Sequence, residues 1–513
     1  MHIRILLGLI LGAALAASAQ TTNSPANQRA LSLRECIDLA LSRNLDLQIE
    51  HLTVEMAGDV LSSAHGVYSP NLTIGATHSY VTDLGAYDER KFNSYFPAEI
   101  TSDELGTDLS GKVPFGFNYD FSSALRKTEA FTDFRSVPED ATSYPGGIRS
   151  TNGHDAVVDL TMRQHLLKDF WIDSDREVLL ARHADLKISQ QALRFQIMTT
   201  LLAVELNYYD LIAAREEIRV QEKALELRRQ FVADTKRLIE LGKSPALDSA
   251  QAETQLQNTL TALAAAREVF SACRNSLIGL LTDDFGAWAT IDVQPTDVFQ
   301  ALPVEVNRSD SFQSALSTRP DLIEARLAVE KTGAMVKFRL NQIFPSLDLV
   351  GDYGGQGSET HFGGPALGDA FSFRNPEYSY GVVVSLPLSN VGERNNYRAS
   401  KAAKKIAELQ LHKAEQNVLI QVADCISRVE SGFSQVTSTQ KAATYAETAL
   451  NAEITKLQNG FSTSFVILQF QEILTTARTA EVRAEVDYSK ALAQLAFAEG
   501  TILERHHLSL EVK

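Results

Sequence analysis

Residues 40–74 recur at 315–349, and no gap is needed to align them. Eleven of the 35 positions are identical, among them Asp46 and Asp321, Leu47 and Leu322, Val54 and Val329, Glu55 and Glu330, Gly58 and Gly333, and Pro70 and Pro345. A chain with such a duplication must build two copies of one supersecondary pattern and pack them against each other. Both copies change character at the proline. Before it, apolar residues recur every seven positions, as Leu47, Val54, Leu61 and Tyr68 in one copy and Leu322, Val329, Val336 and Ile343 in the other. After it, apolar residues alternate, as a strand requires. Proline lacks an N–H and biases its predecessor away from the helix, so Pro70 and Pro345 are read as helix-to-strand junctions. Pro387, in SLPLSN, is read as the return to helix.

A second match uses an offset of 218, which places Val204, Leu211, Ile218, Leu225, Val232 and Ile239 on Val422, Val429, Val436, Ala443, Leu450 and Leu457. Apolar heptads sustained this long indicate helices packed nearly parallel, as in a coiled coil. The same offset places Gly242 on Gly460 and Ser244 on Ser462, in the turns LGKSPALD and NGFSTSFV that reverse each long helix. Each copy then reads as a helix, strands, a long helix hairpin and a return. The first copy, 20–309, has strands within about 70–167 and a hairpin over 173–281; the second, 310–505, has strands within about 345–387 and a hairpin over 390–499, and 506–513 is a tail. A helix of some 68 residues would be ~100 Å long, so the expected molecule is elongated, with antiparallel helix pairs.

The two offsets differ by 57, so the first copy carries about that many extra residues between Pro70 and Val204. Residues 83–105 and 126–153 are polar and rich in Gly, Pro and Ser, and are read as loops facing outside the cell. Strands are read at 72–80, 155–163, 347–353 and 378–386, each with an apolar and a polar face. Residues 109–125 offer a further hairpin turning near Pro114, so each chain supplies four strands or six. Tyr80, Tyr353, Tyr378 and Tyr380 are candidates for an interfacial aromatic belt. Lipid outside and water inside suits these faces, and the smallest membrane barrels need about eight strands, so several chains must share one barrel.

Residues 1–19 are read as a signal peptide. Arg4 supplies the basic region, Ile5–Ala16 the short apolar run and Ala17-Ser18-Ala19 the cleavage site before Gln20. No cysteine follows that run, so a lipid anchor on an N-terminal Cys is not expected. The net charge of −16 argues against nucleic acid as a partner. Cys36, Cys273 and Cys425 are odd in number, far apart and read as small buried residues rather than as a disulfide framework. The GKS at 242–244 lacks the upstream glycine of a phosphate loop, and His506-His507 is read as solvated. No catalytic set, metal site or cofactor is expected, and the chain is not expected to be an enzyme.

The order and spacing of LSLRECIDLALSRNLDL, ALSTRPDLIEARLAVE, IFPSLDLVGDYG, VELNYYDLIAAREEI and the two tip turns resemble the TolC-like outer membrane efflux protein family over about 31–505. The resemblance implies a mixed α/β membrane protein. A homotrimer shares one outer-membrane barrel of twelve strands, continued by a periplasmic barrel of coiled-coil helices. It also implies a periplasmic adaptor and an inner-membrane efflux or secretion pump as partners, with adaptor docking at Gly242, Ser244, Asp248, Gly460 and Ser462. Family members close the tip with acidic residues; Asp248 matches one such position, whereas Val466 and Gln469 occupy others, so these three are candidates for the constriction. His165 stands where the family often has proline after the return strand. The alternative reading is a periplasmic coiled-coil scaffold with a soluble β-domain and no pore.

Overall fold

The computed structural model describes residues 28–88, 93–95, 97–133, 147–241, 245–297, 302–360, 363–459 and 461–508. The first copy contains β1 (Gln28–Leu31), α1 (Leu33–Arg43), α2 (Leu45–His65), β2 (Asn71–Asp83), β3 (Ala86–Asp88), β4 (Asn93–Tyr95), β5 (Ala98–Val113), β6 (Phe117–Asp133) and β7 (Ile148–His165). It continues with α3 (Ser174–Glu240), α4 (Ala246–Leu281), α5 (Phe285–Trp288) and β8 (Asp292–Pro295). The second copy contains α6 (Arg308–Thr318), α7 (Pro320–Asn341), β9 (Ser346–Glu359), α8 (Gly363–Phe371), β10 (Pro376–Ser385), α9 (Val391–Gln458), α10 (Ser464–Glu499) and α11 (Ile502–Arg505). No described helix is long and apolar enough to cross a membrane.

The chain divides into two compact units. The first comprises residues up to Leu45, Thr200–Glu305 and Ser427–Gln494. Here the apolar heptads form the core. Val204, Leu211, Leu225 and Val232 are buried, as are Val422, Val429, Val436, Ala443 and Leu450. α1 begins with a capping box, in which the Glu35 N–H donates to Ser32 Oγ and the Ser32 N–H to Glu35 Oε2. The helix buries Cys36, Ile37 and Ala40. Burial pushes the Cys36 thiol up to about 12, so it stays protonated and unreactive. β1 and β8 pair in parallel, and the fully buried Tyr208 places its hydroxyl 2.7 Å from Asp297 Oδ2 and 3.0 Å from the Leu31 carbonyl beside them.

The second unit, Asp46–Thr199, Val306–Ile426 and the residues from Leu495, holds the main sheet. Its strand order is β10-β9-β7-β6-β5-β2, and every neighbouring pair is antiparallel. β2 begins one residue after Pro70 and β9 one residue after Pro345; Pro387 lies between the end of β10 and the start of α9.

Six strands, not four, stand in this sheet. β9 and β10 of the second copy are direct neighbours, whereas their counterparts β2 and β7 are separated by the hairpin β5–β6, which turns at 114–116. The extra residues of the first copy are therefore largely strand. This corrects the loop reading of 83–105 and 126–153, because β5 starts at Ala98, β6 runs to Asp133 and β7 starts at Ile148. The cause is chemical. In their outer halves these strands are polar on both faces, so they lack the alternation that marks a half-buried strand. Residues 89–92, 96 and 134–146 of those loop readings lie outside the described residues.

Candidate functional site

Register places every side chain of the sheet on one of two faces, because successive residues point to opposite sides. One face carries Leu72, Ile74 and Ala76 of β2, then Leu109 and Leu105 of β5, then Tyr119, Phe121 and Leu125 of β6. It continues through Met162, Leu160, Val158 and Ala156 of β7, Leu349 and Tyr353 of β9, and Tyr378, Tyr380 and Val382 of β10. Beyond Leu125 this face turns polar, with Lys127 and Glu129 paired at 2.6 Å and His78 Nδ1 2.6 Å from Asp103. The apolar band on β6, Phe117 to Leu125, is about as tall as the 9–11 residues a tilted strand needs to cross a bilayer.

The opposite face is acidic. Asp108, Asp120, Asp159 and Asp352 stand on the neighbouring strands β5, β6, β7 and β9 in two adjacent rows. Thr161 donates to Asp159 at 3.1 Å, and Ser379 to Asp352 at 2.8 Å. Four carboxylates cannot face hydrocarbon, so this is the wet face and the other meets lipid.

Tyr80, Tyr353, Tyr378 and Tyr380 all lie exposed on the lipid face. Sequence reading missed a second aromatic group at the opposite end of the strands, where Phe115, Phe170 and Trp171 are exposed and Phe115 stacks on Phe117 at 6.0 Å. The signal was present in KVPFGFNY and KDFW, which bracket the strand ends. Sequence reading also missed α8, which lies on the lipid face near the top of the apolar band. Its Ala366 and Ala370 are buried with Ala156 and Val158, ringed by Phe121, Leu125, Leu367 and Phe373. Gly355 and Gly357 form its seat, since a Cβ at either would strike the carbonyl of Ala370 or Ala366.

His165 ends β7 without a proline. Its Nδ1 lies 2.7 Å from Asp348 Oδ1 and its Nε2 is 3.3 Å from Asn118 Nδ2. The turn after it is made by Asp169, which adopts a left-handed conformation at φ 63°. The fully buried Asn341 holds that turn, accepting from the Asp169 N–H at 2.8 Å and donating to the Leu167 carbonyl at 3.3 Å.

At the hairpin ends, Gly242, Ser244 and Gly460 lie outside the described residues. Asp248 and Val466 are half-buried and Gln469 is exposed. Asp248 sits in the first turn of α4, where its charge complements the helix dipole. Ser462 donates to Glu453 Oε1 at 2.6 Å, and Lys456 bonds Oε2 at 2.8 Å. Lys456 and then Ser462 hold the Glu453 carboxyl below its ordinary range. That contribution is present at neutral pH and is lost as pH falls through the depressed value. Beneath the turns, Phe231, Val232, Ala252, Leu450, Ile467 and Leu468 join both hairpins in one apolar cluster. Beyond it, Leu241, Leu247, Phe461 and Phe465 are exposed, Phe461 by 83 %.

Arg228 ties α3 to α10 just behind this cluster. It is 3 % exposed, donates to the Leu468 carbonyl at 3.3 Å and pairs with Glu472 at 3.0 Å. Glu472 is 67 % exposed, so screening weakens the ionic part. Arg228→Met is expected to keep the packing but lose about 1–3 kcal/mol of charged hydrogen bonding. Backbone hydrogen exchange over 464–475 should accelerate in that variant. Unchanged exchange would show that the apolar cluster alone joins the hairpins.

A sheet with one apolar and one acidic face, combined with long heptad hairpins, has the pattern of an outer-membrane channel protein. Residues 312–501 match the family model described as outer membrane efflux protein. The chain is 24 % identical over 347 residues to the outer membrane efflux protein BepC of Brucella suis, covering 67 % of this chain and 72 % of that one. It is 23 % identical over 340 residues to the outer membrane protein TolC of Vibrio cholerae, covering 65 % and 74 %. Its fold matches the Campylobacter jejuni CmeC outer membrane channel with a TM-score of 0.66 at 14 % identity, covering 99 % of each chain. It matches VceC of Vibrio cholerae at 0.64 and 17 %, covering 91 % of this chain and 96 % of that one. Residues 312–501 are thus similar to the outer membrane efflux proteins, and the relatives and structural neighbours are outer-membrane channels.

Proposed function

We propose that this chain is the outer-membrane duct of a tripartite efflux or type I secretion system, carrying substrates from an inner-membrane pump to the cell exterior. Three copies share one barrel. The repeats 20–309 and 310–505 each supply strands to the wall and a helix hairpin to the periplasmic part. The observation that carries the reading is the two-faced sheet whose edges, β2 and β10, are both left open among the described residues. An open edge cannot face lipid, because its N–H and C=O groups have no partner there. The exposed Leu241, Leu247, Phe461 and Phe465 give a periplasmic adaptor an apolar surface at the hairpin ends.

The test is conductance. Purified protein in a planar bilayer is expected to form discrete channels that prefer cations, because Asp108, Asp120, Asp159 and Asp352 give the wet face a negative potential. Replacing all four with Asn should lower the cation-to-anion permeability ratio several-fold while channels still insert. Complete extraction from membranes by salt, with no conductance, would instead establish the scaffold reading.

A further inference from the structure

We infer that the inserted hairpin β5–β6 is part of the barrel wall, so that the closed barrel has eighteen strands, three chains of six each. This rests on the reading above that three chains share one barrel. It departs from the twelve strands that the family resemblance implies.

Three observations carry the inference. First, the hairpin lies inside the sheet, not beside it. β5 pairs with β2 from Ala98 through Ser110, and β6 pairs with β7 over the whole of Phe117–Asp133. A wall of four strands per chain would have to break both ladders and rejoin β2 to β7. Second, the hairpin has the chemistry of the wall on both sides. Leu105, Leu109, Phe121 and Leu125 continue the lipid face, while Asp108 and Asp120 continue the wet one. Third, the outer edges suit each other. β2 is exposed throughout and β10 everywhere but at Gly381. An even number of alternating strands makes β2 of one copy antiparallel to β10 of the next. Their faces also match, with Leu72 and Ile74 meeting the side of Val382 and Val384, and Thr73 and Thr77 the side of Ser379 and Ser385.

Barrel diameter grows roughly linearly with strand number, so the bore is about 1.5-fold wider than with twelve strands, and barrels of 16–18 strands leave an open aqueous channel. The membrane section is then not the size filter of this duct. It has room for an extended polypeptide as well as for small molecules, and selection falls to the helical end.

Cryo-electron microscopy of the detergent-solubilised protein counts the strands directly. Eighteen strands with β5 and β6 in the wall are expected. Twelve strands with the hairpin lying off the wall would overturn this inference and leave the channel reading intact. Particles with no barrel would overturn both. Cysteine labelling in membranes gives an independent readout. Ser122→Cys faces the lumen and should react with a water-soluble maleimide, while Leu109→Cys, exposed on the apolar face of β5, should react only with a lipid-partitioning one. Equal reaction of both positions with the water-soluble reagent would place the hairpin outside the wall and refute the inference.

Discussion

On the proposal that copies share one barrel, Leu52→Glu combined with Met56→Glu is expected to turn the detergent-solubilised oligomer into monomers. The two residues are 64 % and 60 % exposed, and with Ile49 and Val60 they form an apolar stripe along α2 that is left exposed among the described residues. In the equivalent helix of the second copy, α7, the matching Leu327 and Lys331 are only half-exposed. α9 carries a comparable exposed set at Ile406, Leu409 and Ile420. Helices with unpartnered apolar stripes in a chain with open sheet edges are the natural contact between copies. Burying an apolar side chain of this size stabilises by about 1.5–3 kcal/mol, and a glutamate there adds the cost of burying a charge. Two such changes, repeated at every contact, exceed what an oligomer can absorb. His51→Gln, on the opposite side of α2, should leave assembly unchanged. Light scattering decides the matter, and a double variant with the wild-type mass would remove α2 from the interface.

Asn341→Leu is expected to lower the thermal stability of the sheet more than any comparable change at the strand ends. Asn341 is buried to 0 % exposure and satisfies the Asp169 N–H and the Leu167 carbonyl. Leucine fits the volume but orphans both groups, each worth roughly 1–3 kcal/mol, for a loss of about 2–6 kcal/mol. The turn has other ties, since Gln342 donates to Asp169 Oδ1 at 2.6 Å and Arg176 to the Asp169 carbonyl at 2.7 Å. These neighbours make local collapse, rather than global unfolding, the expected first event. Asn341→Asp keeps the acceptor for the Asp169 N–H but buries a carboxylate against the Leu167 carbonyl, so at neutral pH it should be no milder than the leucine. The melting temperature of the oligomer and its heat-modifiable mobility report the change. A leucine variant that melts with wild type would mean that water satisfies the turn.

The sequence by itself determined the duplicated elements and their order. The 275-residue repeat located both helix-to-strand switches, because a proline at the end of an apolar heptad leaves the chain few alternatives. The heptads at the 218-residue offset located the helical core, since one face must be apolar for helices to pack lengthwise, and nine of those twelve positions are buried while Ile218, Ile239 and Leu457 are half-buried. What only the tertiary structure decided is how the extra residues of the first copy are used. The outer parts of β5 and β6 are polar on both sides, and a strand that meets water on both faces has no alternation to read. Its strand character comes from the ladders β2 and β7 offer on either side. The same holds for the seat of α8, where Gly355 and Gly357 are needed only because a helix lies against them, and for Asn341, whose polar partners come from 174 and 172 residues away in the chain. Local periodicity reports which side of an element is apolar; it carries no record of which distant backbone group an amide will meet.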